Sequence, residues 1–128
     1  MLIDTDVLIW MMRGHSGAAA KLQSIRRWRI SAVTYMELAQ GCRDKHELVR
    51  VKQGLALVEA EIIPISTSVS DRAMRLIDTY ALSHGLQLAD ALIAACALER
   101  GLTVLTANTK HFKSIDSLHI EAFVPTPE

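Results

Sequence analysis

Short apolar runs alternate with longer helical patterns along this chain, and that alternation limits the folds it can adopt. Five runs predict β-strands, at residues 1–3, 28–32, 62–65, 102–106 and 119–124. The segments between them show helical spacing, at residues 6–13, 17–26, 33–43, 45–59, 66–83 and 88–100. Strands separated by helices are typical of an α/β domain with helices on both faces of the sheet. We therefore expect a three-layer α/β/α, Rossmann-like domain with a mainly parallel sheet of about five strands.

The composition supports one domain spanning residues 1–128, because a chain of 128 residues corresponds to a single core. Hydrophobic residues make up 50% of the chain and aromatic residues 5%, which predicts an aliphatic core suited to helices packed on a sheet. Pro64 lies within one predicted strand. Since proline cannot donate to a strand ladder, we expect that strand at an edge of the sheet.

The charges and cysteines exclude several classes of protein. Fourteen basic and fourteen acidic residues cancel, so nucleic-acid binding would have to come from local patches. Cys42 and Cys96 lack the spacing of a zinc site and indicate two reduced thiols. The N-terminus carries acids where a signal peptide has basic residues, and no apolar run is long enough to span a membrane. We expect a cytoplasmic protein without a membrane anchor.

The helix predicted over residues 88–100 contains one residue that does not suit a core helix. Apolar residues recur at helical spacing through Leu88, Leu92 and Cys96, and Gly101 follows as a C-terminal cap. Asp90 falls on the apolar side of this helix, where an unpaired carboxylate is costly. It therefore needs a partner, a favourable place in the first helical turn, or a cation.

Other polar residues are predicted to converge on the same edge of the sheet as Asp90. Asp4 follows the first strand, Glu37 lies in the helix after the second, and Thr106 and Asn108 follow the fourth. Ligands bind outside the carboxyl ends of strands in open parallel sheets. Each residue also has a simpler explanation: Glu37 as part of a capping box with Thr34, Asp4 or Asp6 as a helix cap, and Asn108 as a turn residue. The convergence of three carboxylates favours one acidic site.

Such a cluster predicts a bound divalent cation. Two unit charges about 4 Å apart repel by roughly 4 kcal/mol at an effective dielectric constant of about 20. A proton or a cation must therefore neutralise the set. Oxygen ligands without histidine or cysteine indicate Mg²⁺ or Mn²⁺, which can activate a water for phosphodiester hydrolysis.

The chain resembles the PIN-domain ribonucleases, and most closely the VapC-type toxins of bacterial toxin–antitoxin pairs. The resemblance covers essentially the whole sequence and is carried by residues 2–9 (LIDTDVLI), 31–38 (SAVTYMEL) with Gly41, 90–95 (DALIAA) and 102–112 (LTVLTANTKHF). It implies a metal-dependent endoribonuclease, usually a homodimer, that is inhibited by a cognate antitoxin docking near the active site. Carried over by position, Asp4 and Asp90 are the principal metal ligands and Glu37 completes the acidic set and helps to orient the attacking water. The resemblance also implies that Thr5, Thr34 and Thr106 support these acids with polar contacts.

Two positions depart from the pattern of the family. Asn108 stands where many members carry a fourth acid, and Asp6 stands where asparagine is frequent. The neutral amide removes a charge from a second metal site, and Asp6 restores one nearby. We expect one well-bound metal ion and leave a second open.

Basic side chains provide candidates for RNA binding, although solvated surface positions are the simpler interpretation. They are Arg26, Arg27, Arg29, Arg43, Lys45, Lys110 and Lys113. Phosphate contacts from such residues are independent of base sequence and sensitive to salt. Among the five histidines, none of which shows ligand spacing, His111 lies nearest to the predicted site.

Two other functions compete with a ribonuclease toxin. The Asp4-Thr5-Asp6-Val7 stretch also resembles the opening of haloacid-dehalogenase-type phosphatases, in which the first aspartate is a nucleophile. Leu8 and the absence of a late acidic pair and of a cap domain speak against that family. The second alternative is a PIN-like module that binds RNA or a partner with little or no catalysis.

Overall fold

A computed structural model describes residues 1–127 as a five-stranded sheet flanked by six α-helices. The strands are β1 (Leu2–Ile3), β2 (Arg29–Ser31), β3 (Glu61–Ile63), β4 (Val104–Thr106) and β5 (Ile120–Ala122). The helices are α1 (Thr5–Met12), α2 (Ser16–Gln23), α3 (Ala32–Gln40), α4 (Lys45–Leu57), α5 (Thr67–His84) and α6 (Leu88–Arg100). A single 3-10 turn, Thr109–His111, follows β4. The predicted α/β fold with about five strands is confirmed.

All pairings between these strands are parallel, in the order β3-β2-β1-β4-β5. The strand β1 is central: Leu2 is in register with Arg29 of β2 and with Val104 of β4. Strand β3 lies at an edge, as Pro64 predicted, and ends at Ile63 because proline offers no N–H to continue the ladder. Every carboxyl end of the sheet therefore faces the same side of the molecule.

The two faces of the sheet carry separate apolar clusters. Leu2 and Val104 point to the side covered by α5 and α6, and Ile3 and Leu105 point to the side covered by α1 and α2. This alternation is the period of two that a β-strand imposes on its side chains. It produces the three layers expected from the sequence.

The ends of the helices differ from the sequence prediction where capping residues determine them. Helix α1 begins at Thr5, one residue early, because Asp4 already caps it. Helix α3 is capped by Ser31, whose Oγ accepts the N–H of Val33 at 3.1 Å, so the predicted capping box of Thr34 and Glu37 is wrong. Helices α2 and α3 end three residues earlier than predicted, at Gln23 and Gln40. In α3 the cause is Gly41, a poor helix former.

None of the helices within residues 1–127 is long and apolar enough to cross a membrane.

Small side chains in α6 allow this helix to pack closely against its neighbours, which gives the first prediction. Ala94 is 0% exposed, so Ala94→Leu would force extra volume into a filled space. We expect it to lower the free energy of unfolding by about 1–3 kcal/mol, measured by urea denaturation. Leu88→Ala, in the same helix at an exposed position, should change it far less. Equal effects would show that α6 is not tightly packed.

Candidate active site

Buried polar side chains concentrate at one edge of the sheet. Within residues 1–127 the buried polar or charged residues are Asp4, Thr5, His15, Ser31, Thr34 and Thr106. All but His15 lie at the carboxyl end of β1, β2 or β4, or in the first helical turn that follows. Burying a polar group is unfavourable unless it has a partner, so this concentration marks the edge as a candidate site.

Asp4 is the most deeply placed acid of the site and is only 5% exposed. Its Oδ1 accepts the N–H of Thr5 at 2.8 Å, which caps α1. Its Oδ2 accepts the hydroxyl of Thr106 at 2.8 Å. Thr106 Oγ1 in turn accepts the N–H of Asn108 at 2.9 Å. Asp4 therefore links β1, α1 and β4.

Asp6 lies beside Asp4 and is held by the loop after β4. Its Oδ1 accepts the N–H of Ala107 at 3.3 Å, and its Oδ2 lies 3.4 Å from Thr106 Oγ1. A hydroxyl has one proton, and the shorter contact of Thr106 is to Asp4. Asp6 thus places a carboxylate against Ala107, the residue before Asn108.

Two threonines connect Glu37 to the same edge. Thr5 Oγ1 lies 2.7 Å from Glu37 Oε1 and 3.0 Å from Thr34 Oγ1. Since Thr5 donates its single proton to the carboxylate, Thr34 donates to Thr5. Both threonines are buried and Glu37 is exposed, so one oxygen of Glu37 is fixed while its carboxylate faces solvent.

Asp90 lies in the first turn of α6 and contacts His111 of the 3-10 turn after β4. The distance between His111 Nδ1 and Asp90 Oδ2 is 3.2 Å. The sequence offered three ways to satisfy Asp90, and the structure shows the first-turn position together with this partner. Sequence analysis singled out His111 by its location and gave it no role, because nothing in the spacing of the histidines reveals a contact with Asp90.

The acids influence one another electrostatically. Burial, followed by the charge of Asp6, raises the pKa of Asp4 from 3.8 to about 7, with a smaller contribution from Asp90. Burial also raises the pKa of Asp90, with further increases from Glu37 and Asp6 and an opposing effect of His111. Asp4, Asp6, Glu37 and Asp90 are therefore close enough to form one charged cluster.

The chemistry of this cluster fits a hard divalent cation. Its donors are carboxylate and hydroxyl oxygens, and a cation would offset both the burial of Asp4 and the neighbouring charge of Asp6, which raise the pKa of Asp4. Among residues 1–127, no group of three or more Asp, Glu, His and Cys side chains is arranged to hold a metal ion at once. The charge and the donor type thus suit Mg²⁺ or Mn²⁺, and the side chains would have to close in to ligate it together.

The predicted RNA-binding residues separate into three places. Lys110 and Lys113 lie in and just after the 3-10 turn, at the edge that carries the acids. Arg43 and Lys45 follow the far end of α3, and Arg43 pairs with Glu47 at 3.1 Å. Three arginines, Arg26, Arg27 and Arg29, lie at the amino end of β2, which is the opposite edge of the sheet. The structure does not bring these three together with the acids.

A groove of about 580 Å³ lies between α1, α3 and α4. Leu8, Met11, Leu38 and Leu55 contribute to its apolar lining, and charged side chains of α4 also line it.

The chain is similar to known proteins over most of its length. A family model described as PIN domain matches residues 1–118. This chain belongs to the PIN domain family. Ribonuclease VapC10 of Mycobacterium tuberculosis is 33% identical over 131 aligned positions, which cover 98% of this chain and 95% of the relative.

A toxin–antitoxin complex is among the solved structures of similar shape. In a complex from Klebsiella pneumoniae, one chain matches this PIN domain with a TM-score of 0.79 and 30% identity, covering 99% of this chain and 98% of that one. FitAcB from Neisseria gonorrhoeae matches with a TM-score of 0.74 and 28% identity, covering 93% of this chain and 94% of that one. The resemblance expected from the sequence is confirmed.

The raised pKa of Asp4 predicts that the metal-free PIN domain loses stability as the pH increases. The folded state binds this proton more tightly than the unfolded state, so the stabilisation is present below about pH 4 and is lost as the pH rises towards about 7. Asp4→Asn keeps a capping side chain and removes the charge. In EDTA we expect it to melt close to the unmodified protein at pH 4 and to be more stable at pH 8 by about 2–4 kcal/mol.

Calorimetry across this pH range measures the difference. For Asp78→Asn, at an exposed position of α5, the difference in stability from the unmodified protein should be the same at pH 4 and at pH 8. A constant difference for Asp4→Asn would mean that Asp4 is ionised throughout.

Proposed function

We propose that this PIN domain is an Mg²⁺- or Mn²⁺-dependent endoribonuclease that acts as the toxin of a toxin–antitoxin pair. The observation that carries the proposal is the cluster of four carboxylates at the carboxyl edge of the sheet, two of them fixed by buried threonines and a third by a backbone N–H. The name of the M. tuberculosis relative, a ribonuclease, and the toxin–antitoxin complexes among the solved structures support it.

In this function Asp4, Glu37 and Asp90 would hold the metal ion. The bound ion lowers the pKa of a water and stabilises charge on the phosphate. Thr106 and the N–H of Thr5 orient Asp4, and Thr5 orients Glu37. Glu37 is the exposed acid of the set, so it can orient the attacking water from the solvent side while its Oε1 is held.

Two lysines are placed to bind the RNA backbone. Lys110 and Lys113 are exposed and lie on the same edge as the acids, next to the end of β4. Their contacts to phosphates would add affinity that falls as salt increases. By contrast, Arg29 on the opposite edge donates to Glu61 at 3.2 Å, and Arg100 donates to the same carboxylate at 2.7 Å. This ion-pair network serves the fold, so RNA binding is assigned to the two lysines.

The groove between α1, α3 and α4 is the proposed docking site of the antitoxin. Its apolar lining suits an apolar segment of a partner. The toxin–antitoxin complex from Klebsiella pneumoniae among the solved structures supports this occupant. A homodimer, also expected from the sequence, stays a prediction.

Substituting the metal-holding acids tests the catalytic function. Asp4→Asn and Asp90→Asn should each reduce cleavage of structured RNA at least about 100-fold, because each removes a charged ligand while keeping the side-chain shape. The protein is freed of any copurified partner and assayed with Mg²⁺, Mn²⁺ or EDTA. Asp78→Asn, an exposed acid outside the site, is the matched control and should cleave normally.

The other outcomes of this assay separate the alternatives. Cleavage that survives both substitutions would come from a contaminating nuclease. RNA binding without cleavage, and without a shift of Tm by Mn²⁺, would identify a binding module. A phosphorylated Asp4 trapped during turnover would instead indicate a phosphatase.

Two methionines of similar exposure test the groove. Met12 lines the groove and is 52% exposed, whereas Met74 lies on α5 and is 58% exposed. Met12→Asp should weaken binding of the cognate antitoxin at least about tenfold, because it places a charge in an apolar interface. Met74→Asp should bind normally in the same titration. Equal affinities for both variants would place the antitoxin elsewhere.

A further inference from the structure

Three acids of the site have one oxygen held by a hydrogen-bond donor from another part of the chain. Thr106 holds Asp4, the N–H of Ala107 holds Asp6, and Thr5 holds Glu37. Asp90 instead contacts His111, whose Nδ1 lies 3.2 Å from Asp90 Oδ2. The donors to the other three acids are buried threonines or a backbone N–H, whereas the side chain of His111 is 45% exposed.

The fold determines where His111 lies. It closes the 3-10 turn after β4, and the next residue, Phe112, is 0% exposed in the cluster between the sheet and α6. Phe112 therefore anchors the turn against the helix that carries Asp90. The position of His111 opposite Asp90 is set by buried neighbours and does not depend on its own exposed ring.

Asp90 is not satisfied by the usual role of an acid in the first turn of a helix. The N-terminal cap of α6 is Gln87, which makes no capping side-chain hydrogen bond. A carboxylate at the third position of a helix can reach back to the N–H of the cap residue. The contact recorded for the Asp90 side chain in residues 1–127 is instead the one with His111.

We propose that His111 is a positioning residue for Asp90. Its Nδ1–H donates to Oδ2 and holds the carboxylate in place, so that the other oxygen, Oδ1, is presented to the metal ion. This inference rests on the proposed function, since it assigns Asp90 to the metal. The opposing effect of His111 on the raised pKa of Asp90 agrees with such a contact. Outer-shell partners of metal ligands typically change metal affinity 10- to 100-fold.

Two substitutions of His111 separate this hydrogen bond from other roles of the ring. His111→Asn places an amide N–H near the position of Nδ1, and His111→Gln places one near the position of Nε2. We expect the affinity for Mn²⁺ alone, measured by electron paramagnetic resonance without RNA, to fall about tenfold or more in the Gln variant. The Asn variant should stay within about threefold of the unmodified protein. His119→Gln, at an exposed position outside the site, is the control and should bind Mn²⁺ normally.

Kinetics and melting complete the experiment. In the Gln variant kcat should fall at saturating RNA while KM for RNA stays unchanged, and Tm in EDTA should match that of the Asn variant. Equal Mn²⁺ affinity in the Asn, Gln and unmodified proteins would overturn the proposal, as would equal losses in both variants. A raised KM with normal Mn²⁺ affinity would show that His111 contacts RNA and would overturn it too.

The test also separates failure of this inference from failure of the proposed function. If the unmodified protein binds Mn²⁺ and cleaves RNA but both variants behave like it, the inference alone is wrong. If the unmodified protein neither binds Mn²⁺ nor cleaves RNA, the proposed function fails and this inference fails with it.

Discussion

The carboxyl group of Asp4 is buried where three elements meet, and both the fold and the site depend on how its charge is accommodated. One oxygen caps α1, the other accepts from Thr106 at the end of β4, and the N–H of Asp4 donates to Leu105 O at 2.9 Å. A buried charge is costly unless it is paired. Hydrogen bonds offset part of this cost, and the raised pKa shows that a proton or a cation must offset the rest. Fold and cation affinity are thus coupled through one residue.

Much of the architecture was predictable because strand and helix periods are encoded locally. One further rule, that parallel strands place their carboxyl ends on the same side of a sheet, located Asp4, Glu37 and Asp90 at one edge, whereas the strand order was not predicted. Element ends were less predictable. Thr34 and Glu37 have the spacing of a capping box, yet Ser31 caps α3 and frees both for the site. The cap was missed because two residues of similar capping ability, Ser31 and Thr34, stand within this short stretch.

Contacts between residues that are far apart in the chain could not be predicted from the sequence. The pairing of His111 with Asp90 depends on how deeply Phe112 is buried, which no local pattern records. The separation of the arginines from the acidic edge could not be predicted from the sequence either. Arg29 belongs to a basic cluster in the sequence, but its place at the start of β2 turns it towards Glu61 at the opposite edge. Charge clusters therefore predicted basic surface, and the topology separated Arg29 from the acidic edge.

The two-residue strand β1 has a consequence for synthesis of the protein on the ribosome. Its neighbours are β2, about 27 residues later, and β4, whose Val104 pairs with Leu2. Until β4 has been translated, the central strand has a partner on one side only and Asp4 lacks its hydrogen bond from Thr106. Such distant pairings also form late in folding, because the intervening chain must first be ordered. A nascent chain therefore carries Asp4 and Glu37 for most of its synthesis without an assembled acidic edge.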